Sequence, residues 1–304
     1  MNLLEGTAPT TAMAVERYET IQPRLPGANF PANTINRAHL GELVDDIDCF
    51  VLDGFGVLNI GESTVPGAVE RVRGLRASGK QVRVLTNGAT LPSTRTMAKY
   101  QAWGMQFEAS EVVSSRDALA RELRKHKKMR WGFVAVEESE LPSLVDDGVV
   151  LGDDESVYAS CDGFVLLGTR IWNAHRHSLM AKSLADNPRP VLVGNPDLVA
   201  PQVGELSREP GMYAHALQDE GLATPQFFGK PFDNAFAIVR ETLGGIDPGR
   251  IAMVGDTLHT DILGGAQAGW KTVLVTGHGL LRNLDVEAAI ARSGIRPDYI
   301  VPTT

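Results

Sequence analysis

Along the chain, short stretches dense in Val, Leu, Ile and Phe alternate with longer ones in which apolar residues return every three or four positions. The short stretches, at 49–53, 81–85, 131–136, 163–167, 190–193, 250–254 and 272–275, predict buried strands. The longer ones, at 66–78, 94–103, 138–146, 175–185 and 234–243, predict helices. Pro66 suits a first helical turn and Gly79 a helix stop. Strand and helix alternating in this order imply a parallel sheet.

The alternation has two parts. One cycle starts at Cys49; another, starting near Arg130, reads as a small α/β module inserted in the first, and the outer sheet resumes at Gln226-Phe227-Phe228-Gly229-Lys230. The expected organisation is a core of residues 47–111 and 211–304, an insertion of residues 112–210 and an N-terminal extension of residues 1–46. The extension carries one predicted helix, over 12–21, ended by Pro23 and a link rich in Pro, Gly and Asn. No internal repeat or low-complexity tract interrupts this plan.

With 304 residues, 43% of them hydrophobic and 22% charged, the chain has ample material for a packed core. Its net charge of -8 argues against a nucleic-acid or anionic-membrane partner. The basic run at 124–130 reads as a solvated helix end. Cys49 and Cys161 form no CxxC pair, which argues against a disulfide framework and a cysteine-rich zinc site. The start Met1-Asn2-Leu3-Leu4-Glu5 lacks a signal peptide's basic and apolar pattern, and no run is long enough to span a membrane. A cytoplasmic protein is expected.

Chemistry enters where the predicted strands end. Asp53 closes the run Phe50-Val51-Leu52 and enters the turn Gly54-Phe55-Gly56, where open α/β sheets place their sites. It reads as a nucleophile or a metal ligand. Asp256 stands likewise after Ile251-Ala252-Met253-Val254-Gly255, with Asp261 beyond it; Thr86-Asn87 follows another strand, and Lys230 follows Gly229. Each alone has a plainer explanation as a helix cap, a turn or a solvated lysine. Their order and their placement after apolar runs point to a phosphoryl-transfer site, with a carboxylate nucleophile, a hydroxyl and a lysine for the phosphoryl oxygens, and an acidic pair for a divalent cation.

Two nucleotide-site patterns fail. Gly74-Leu75-Arg76-Ala77-Ser78-Gly79-Lys80 has phosphate-loop spacing, but Gln81 replaces the hydroxyl residue and the segment precedes a strand. Gly54-Phe55-Gly56 begins like a dinucleotide fingerprint, yet Asn59 occupies the third glycine's place. His175 and His177, two apart on a predicted helix, face different directions and make a poor metal pair. His259 reads as packing within its loop, and Trp172 and Asn173 as core and surface residues.

Taken together, these motifs resemble the haloacid dehalogenase superfamily of hydrolases, in particular its class IIA phosphatases. The first motif is similar to Asp53-Gly54-Phe55-Gly56-Val57-Leu58, the second to Val84-Leu85-Thr86-Asn87, the third to Gly229-Lys230-Pro231, and the fourth to Val254-Gly255-Asp256-Thr257-Leu258-His259-Thr260-Asp261-Ile262. The resemblance covers about residues 47–304 and implies a three-layer, Rossmann-like parallel α/β core with an inserted α/β cap. It implies that Asp53 attacks phosphorus to form an aspartyl-phosphate while Thr86, Asn87 and Lys230 serve the phosphoryl group. Mg²⁺ is implied on Asp53, the Phe55 carbonyl, Asp256 and Asp261, an all-oxygen set that suits this ion. Asn195-Pro196-Asp197 is similar to the cap loop of the class, so Asn195 and Asp197 are the substrate-binding candidates. A small phosphorylated metabolite is the implied substrate, and dimerisation through the cap is implied as well.

One position departs from the pattern. The class places a second aspartate two residues after the nucleophile, as general acid, and here Phe55 stands there. A phenylalanine still offers its carbonyl to a metal but no proton to a leaving group. General-acid catalysis contributes roughly 10²- to 10⁴-fold, so its loss weakens such an enzyme without abolishing it. Phe55 therefore leaves two readings: a phosphatase biased toward aryl or acyl phosphates, or served by another proton donor; and a catalytically weak relative that binds a phosphorylated ligand as a sensor or partner.

Overall fold

The structure, a computed structural model, describes Leu4, residues 8–202 and residues 204–304. Met1, Asn2, Leu3 and Glu5, read above for a leader, lie outside the described residues. Among the described residues, no helix is long and apolar enough to cross a membrane.

Seven parallel strands form the main sheet, in the order Ile35–Asn36, Tyr299–Val301, Lys271–Val275, Ile251–Gly255, Cys49–Leu52, Gln81–Thr86, Val112–Ser114. Side chains alternate across a strand: Phe50 and Leu52 pack with Val72, Leu75 and Tyr100 on one face. Cys49 and Val51 pack with Leu119, Phe236 and Val239 on the other. Both faces are covered by helices, which is why these strands read as continuous apolar runs and why the core has three layers.

From Cys49–Leu52 the chain winds outward through Gln81–Thr86 and Val112–Ser114, then returns to the opposite side at Ile251–Gly255. This reversal opens a crevice at the carboxyl ends of neighbouring strands, the usual ligand position in open α/β sheets. Asp53, Thr86 and Asp256 all sit at that edge.

A second parallel sheet runs in the order Gln226–Phe227, Val191–Val193, Gly163–Leu166, Trp131–Val134, Gly148–Val150. Gln226–Phe227 thus pairs with Val191–Val193 in the smaller sheet, whereas the pattern of residues placed it in the main one; a two-residue edge strand carries no local mark of its sheet. Conversely, Val112–Ser114 belongs to the main sheet, where Thr86 pairs with Ser114. The helix expected over 138–146 is replaced by two 3₁₀ turns, Glu137–Ser139 and Leu141–Ser143. Between them Glu140 adopts φ +51°, and Pro142 offers no backbone N–H to continue a helix.

The N-terminal helix spans Thr11–Ile21, capped by Thr10, whose hydroxyl accepts the Met13 N–H at 3.2 Å. Past it, Ile35–Asn36 adds the outermost strand of the main sheet, so this segment is woven into the fold at two places.

Candidate active site

Asp53 leaves its strand with its N–H donated to the Val254 carbonyl at 2.8 Å, which ties the first and fourth motifs at the backbone. Its Oδ1 lies 2.5 Å from Lys230 Nζ, and the same ammonium is 2.7 Å from Asp261 Oδ1. All three side chains are largely buried. Asp256 completes the cluster: Oδ2 accepts the Leu280 N–H at 2.7 Å and Oδ1 accepts the Thr257 hydroxyl at 3.0 Å.

Asp261 is brought back toward Asp256 by a π-helical turn over Leu258–Ile262, with its Oδ2 accepting the Thr257 N–H at 3.1 Å. Such wide turns recur at functional sites. The approach is close enough that a Cβ on Gly255 would stand 2.0 Å from Asp261 Cγ, so glycine is required before Asp256.

Carboxylate oxygens of Asp53, Asp256 and Asp261 lie within 4.8 Å of one another. Three carboxylates facing one ammonium leave two negative charges unbalanced. Hard oxygen donors with that surplus fit a divalent cation such as Mg²⁺. The electrostatics agree: burial pushes the Asp53 carboxyl well above its usual range against the pull of Lys230, and burial with Asp261 pushes Asp256 up to about 7. Burial draws Lys230 down, but the charges of Asp261 and Asp53 outweigh it and keep the ammonium protonated.

Asn87 joins core and insertion. Its Oδ1 accepts the Lys230 N–H at 2.8 Å, while its Nδ2 donates to the Lys230 carbonyl at 3.0 Å and to Asp197 Oδ1 at 2.8 Å. Gly229, at φ +122°, lets this happen, because a Cβ there would stand 2.4 Å from Asn87 Oδ1. Thr86 Oγ1 accepts the Gly88 N–H at 3.2 Å and faces the cavity.

That cavity, of about 580 Å³, is lined by Asp53, Phe55, Thr86 and Asp256 from the main-sheet side and by Asn195 and Asp197 from the insertion. Asn195 Oδ1 accepts the Asp197 N–H at 3.0 Å, and its Nδ2 donates to Glu209 Oε2 at 3.0 Å. Burial pushes both acids up to about 7, Asp197 against the pull of Lys230 and Asn87, and Glu209 against its hydrogen bond from Ser207.

Every residue nominated from the sequence therefore falls in or beside one cavity. Glu209 was not nominated: standing before Pro210, it reads only as the start of helix Pro210–Asp219. Trp172, taken as core, is buried and also lines the cavity. His177 is buried beside Tyr213, and His259 packs on Tyr18 within the turn that carries Asp261; neither belongs to the cluster of Asp53, Asp256 and Asp261.

The chain is similar to known phosphatases. A haloacid dehalogenase-like hydrolase model matches residues 50–149 and a HAD-hydrolase-like model matches residues 227–304, together more than half of the chain. Human glycerol-3-phosphate phosphatase is 29% identical over 288 residues, covering 85% of this chain and 89% of that protein. The chloroplastic phosphoglycolate phosphatase 1A of Arabidopsis thaliana is 28% identical over 260 residues, covering 77% and 70%. A solved structure described as a possible sugar phosphatase of the HAD superfamily, from Cytophaga hutchinsonii, shares the fold at a TM-score of 0.77 and 24% identity, covering 89% of this chain and 98% of that one. Motifs, sheet topology and these matches agree: the chain belongs to the haloacid dehalogenase superfamily of hydrolases, as a class IIA phosphatase-like member.

Proposed function

We propose that the protein is a Mg²⁺-dependent phosphatase that hydrolyses a small phosphorylated metabolite through an aspartyl-phosphate on Asp53. The observation that carries this reading is that Asp53, Thr86 and Asp256 line one cavity edge, with Lys230 Nζ behind them 2.5 Å from Asp53 Oδ1 and 2.7 Å from Asp261 Oδ1. An Asp53 oxygen forms the bond to phosphorus as the ester bond breaks; water then attacks the acyl-phosphate, releasing phosphate and restoring the carboxylate. Lys230 and Thr86 hold the phosphoryl oxygens where negative charge develops. Asp53, the Phe55 carbonyl, Asp256 and Asp261 would hold Mg²⁺, which supplies charge neutralisation at the phosphoryl group.

In this reading the insertion, with its sheet reaching from Trp131 to Phe227, acts as a cap whose Asn195 and Asp197 meet the leaving group. Phe55 lines the cavity where the class carries its acid, so turnover favours leaving groups that depart without a proton. For others Asp197 is the proton donor: it faces the same cavity, and its carboxyl, pushed up to about 7, retains a proton near neutrality. Among relatives, a 4-nitrophenylphosphatase of Schizosaccharomyces pombe, 27% identical, is named for an aryl phosphate.

A screen of aryl and alkyl phosphate esters with and without Mg²⁺ tests the proposal. Metal-dependent turnover is the expected result; stabilisation by ligand without turnover would replace the enzyme with a binding protein.

A further inference from the structure

The helix Thr11–Ile21 lies between the two halves of the site, touching the loop after Asp197 on one side and the turn of Asp261 on the other. Toward the cap, the Tyr18 hydroxyl accepts the Leu198 N–H at 3.0 Å, one residue past Asp197, across 180 positions of sequence. Toward the core, the Tyr18 ring stacks on His259 with centroids 5.2 Å apart and planes at 13°, inside the turn that carries Asp261. Tyr18 is itself buried.

Neighbouring residues anchor the helix on both sides. Arg17 and Arg24 pair with Asp219 of the helix Pro210–Asp219 at 2.5 and 2.6 Å. Gln22 meets His259 Nε2 at 3.2 Å and donates to the Ser293 carbonyl at 2.8 Å, and Glu19 accepts from Arg292 at 2.9 Å. Apolar packing divides in the same way: Ala14, Tyr18 and Ile21 join the cluster containing Leu198 and Met212, while Val15 joins the one containing Leu258 and Ile262.

We propose that Tyr18 is a positioning residue of the active site, fixing the Asn195–Asp197 loop over Asp53 through the Leu198 amide and bracing the Asp256–Asp261 turn through His259. The inference rests on the reading that Asn195 and Asp197 meet the leaving group. A buried amide without an acceptor opens toward water, so loss of the hydroxyl loosens the loop while an intact ring leaves the metal-side turn in place. Tyr18 acts through Asp197 and Asn195, so its effect belongs to leaving-group binding rather than to phosphoryl binding.

Tyr18→Phe separates the two contacts, with Val15→Ala on the core-facing side as a control for general loosening of the helix. Three quantities are read: KM and kcat for a phosphate ester, inhibition by inorganic phosphate, and amide exchange over residues 195–198. With an aryl phosphate, whose leaving group needs no proton from Asp197, KM in Tyr18→Phe should rise roughly fivefold to tenfold, the effect of one lost hydrogen bond, while phosphate inhibition and kcat stay within about twofold. Exchange at 195–198 should quicken in Tyr18→Phe and not in Val15→Ala. Unchanged KM and exchange, equal weakening of ester and phosphate, or the same response in Val15→Ala would overturn the proposal. If the wild type hydrolyses no ester, the phosphatase reading falls by itself, and the exchange measurement still decides the role of Tyr18.

Discussion

Replacing Lys230 with methionine keeps most of the side-chain volume and removes the one ammonium that the structure sets against Asp53 and Asp261. The Lys230 side chain is 2% exposed, with contacts of 2.5 and 2.7 Å, so bulk water screens neither pair. At an effective dielectric constant of about 20, each contact carries about 6 kcal/mol of Coulomb attraction, most of it offset by desolvation. Removing one partner of such a buried pair costs about 3–5 kcal/mol. At roughly 2–4 °C per kcal/mol for a large domain, melting should fall by about 6–20 °C, measured with divalent ions chelated. The sign of the pH dependence follows from the direction of the shifts. Asp53 is raised well above its unfolded value and Asp256 to about 7, so the folded state binds more protons than the unfolded chain between those limits. The stability these groups contribute is complete below the unfolded carboxylate range and is lost as pH rises through the folded values. The deficit of Lys230→Met should therefore be largest above about pH 7 and shrink toward pH 5. Turnover should fall by about 10²- to 10³-fold, the effect of losing one transition-state donor. A variant that melts with the wild type above pH 7 in chelator, or whose deficit is the same at both ends of that range, would refute the assigned counter-charge.

Asp53→Asn should abolish turnover in a steady-state assay while the protein remains folded; undiminished activity would remove Asp53 as nucleophile. Phe55→Asp should raise kcat/KM on alkyl phosphates by up to about 10²- to 10⁴-fold and on an aryl phosphate much less, and an equal gain on both would remove the leaving-group argument. With an alkyl phosphate, wild-type kcat should decline as pH rises past about 7, because Asp197 then loses its proton; Asp197→Asn should lower the rate and erase that limb, and a retained limb would point to another donor.

The residues that line the candidate site were legible because their placement is written locally. Cys49–Leu52 and Ile251–Gly255 are apolar runs that end at a carboxylate, and a strand buried on both faces can be made of little else. Thr86 closes the strand Gln81–Thr86 with Asn87 just beyond it, and Gly229-Lys230 comes one residue after Gln226–Phe227. The fourth-motif turn could be recognised by its residues, but its π-helical form could not.

What the residues alone did not decide was which segments meet. Gln226–Phe227 lies in the smaller sheet and Val112–Ser114 in the main one, because an edge strand of two or three residues is assigned by its neighbour's hydrogen bonds. Glu209 comes to the cavity only because Asn195 folds against it, and Tyr18 touches both Leu198 and His259 only because a helix near the N-terminus packs between those two loops. The sequence by itself determined the parallel α/β pattern, the acidic strand ends and the absence of an acid at Phe55, since periodicity and residue type are properties of neighbours in the chain. Only the tertiary structure decided that Asn87 clasps Asp197, that Lys230 is shared by Asp53 and Asp261, and that Tyr18 reaches Leu198, since each contact joins residues far apart in sequence and exists only once the sheets have packed.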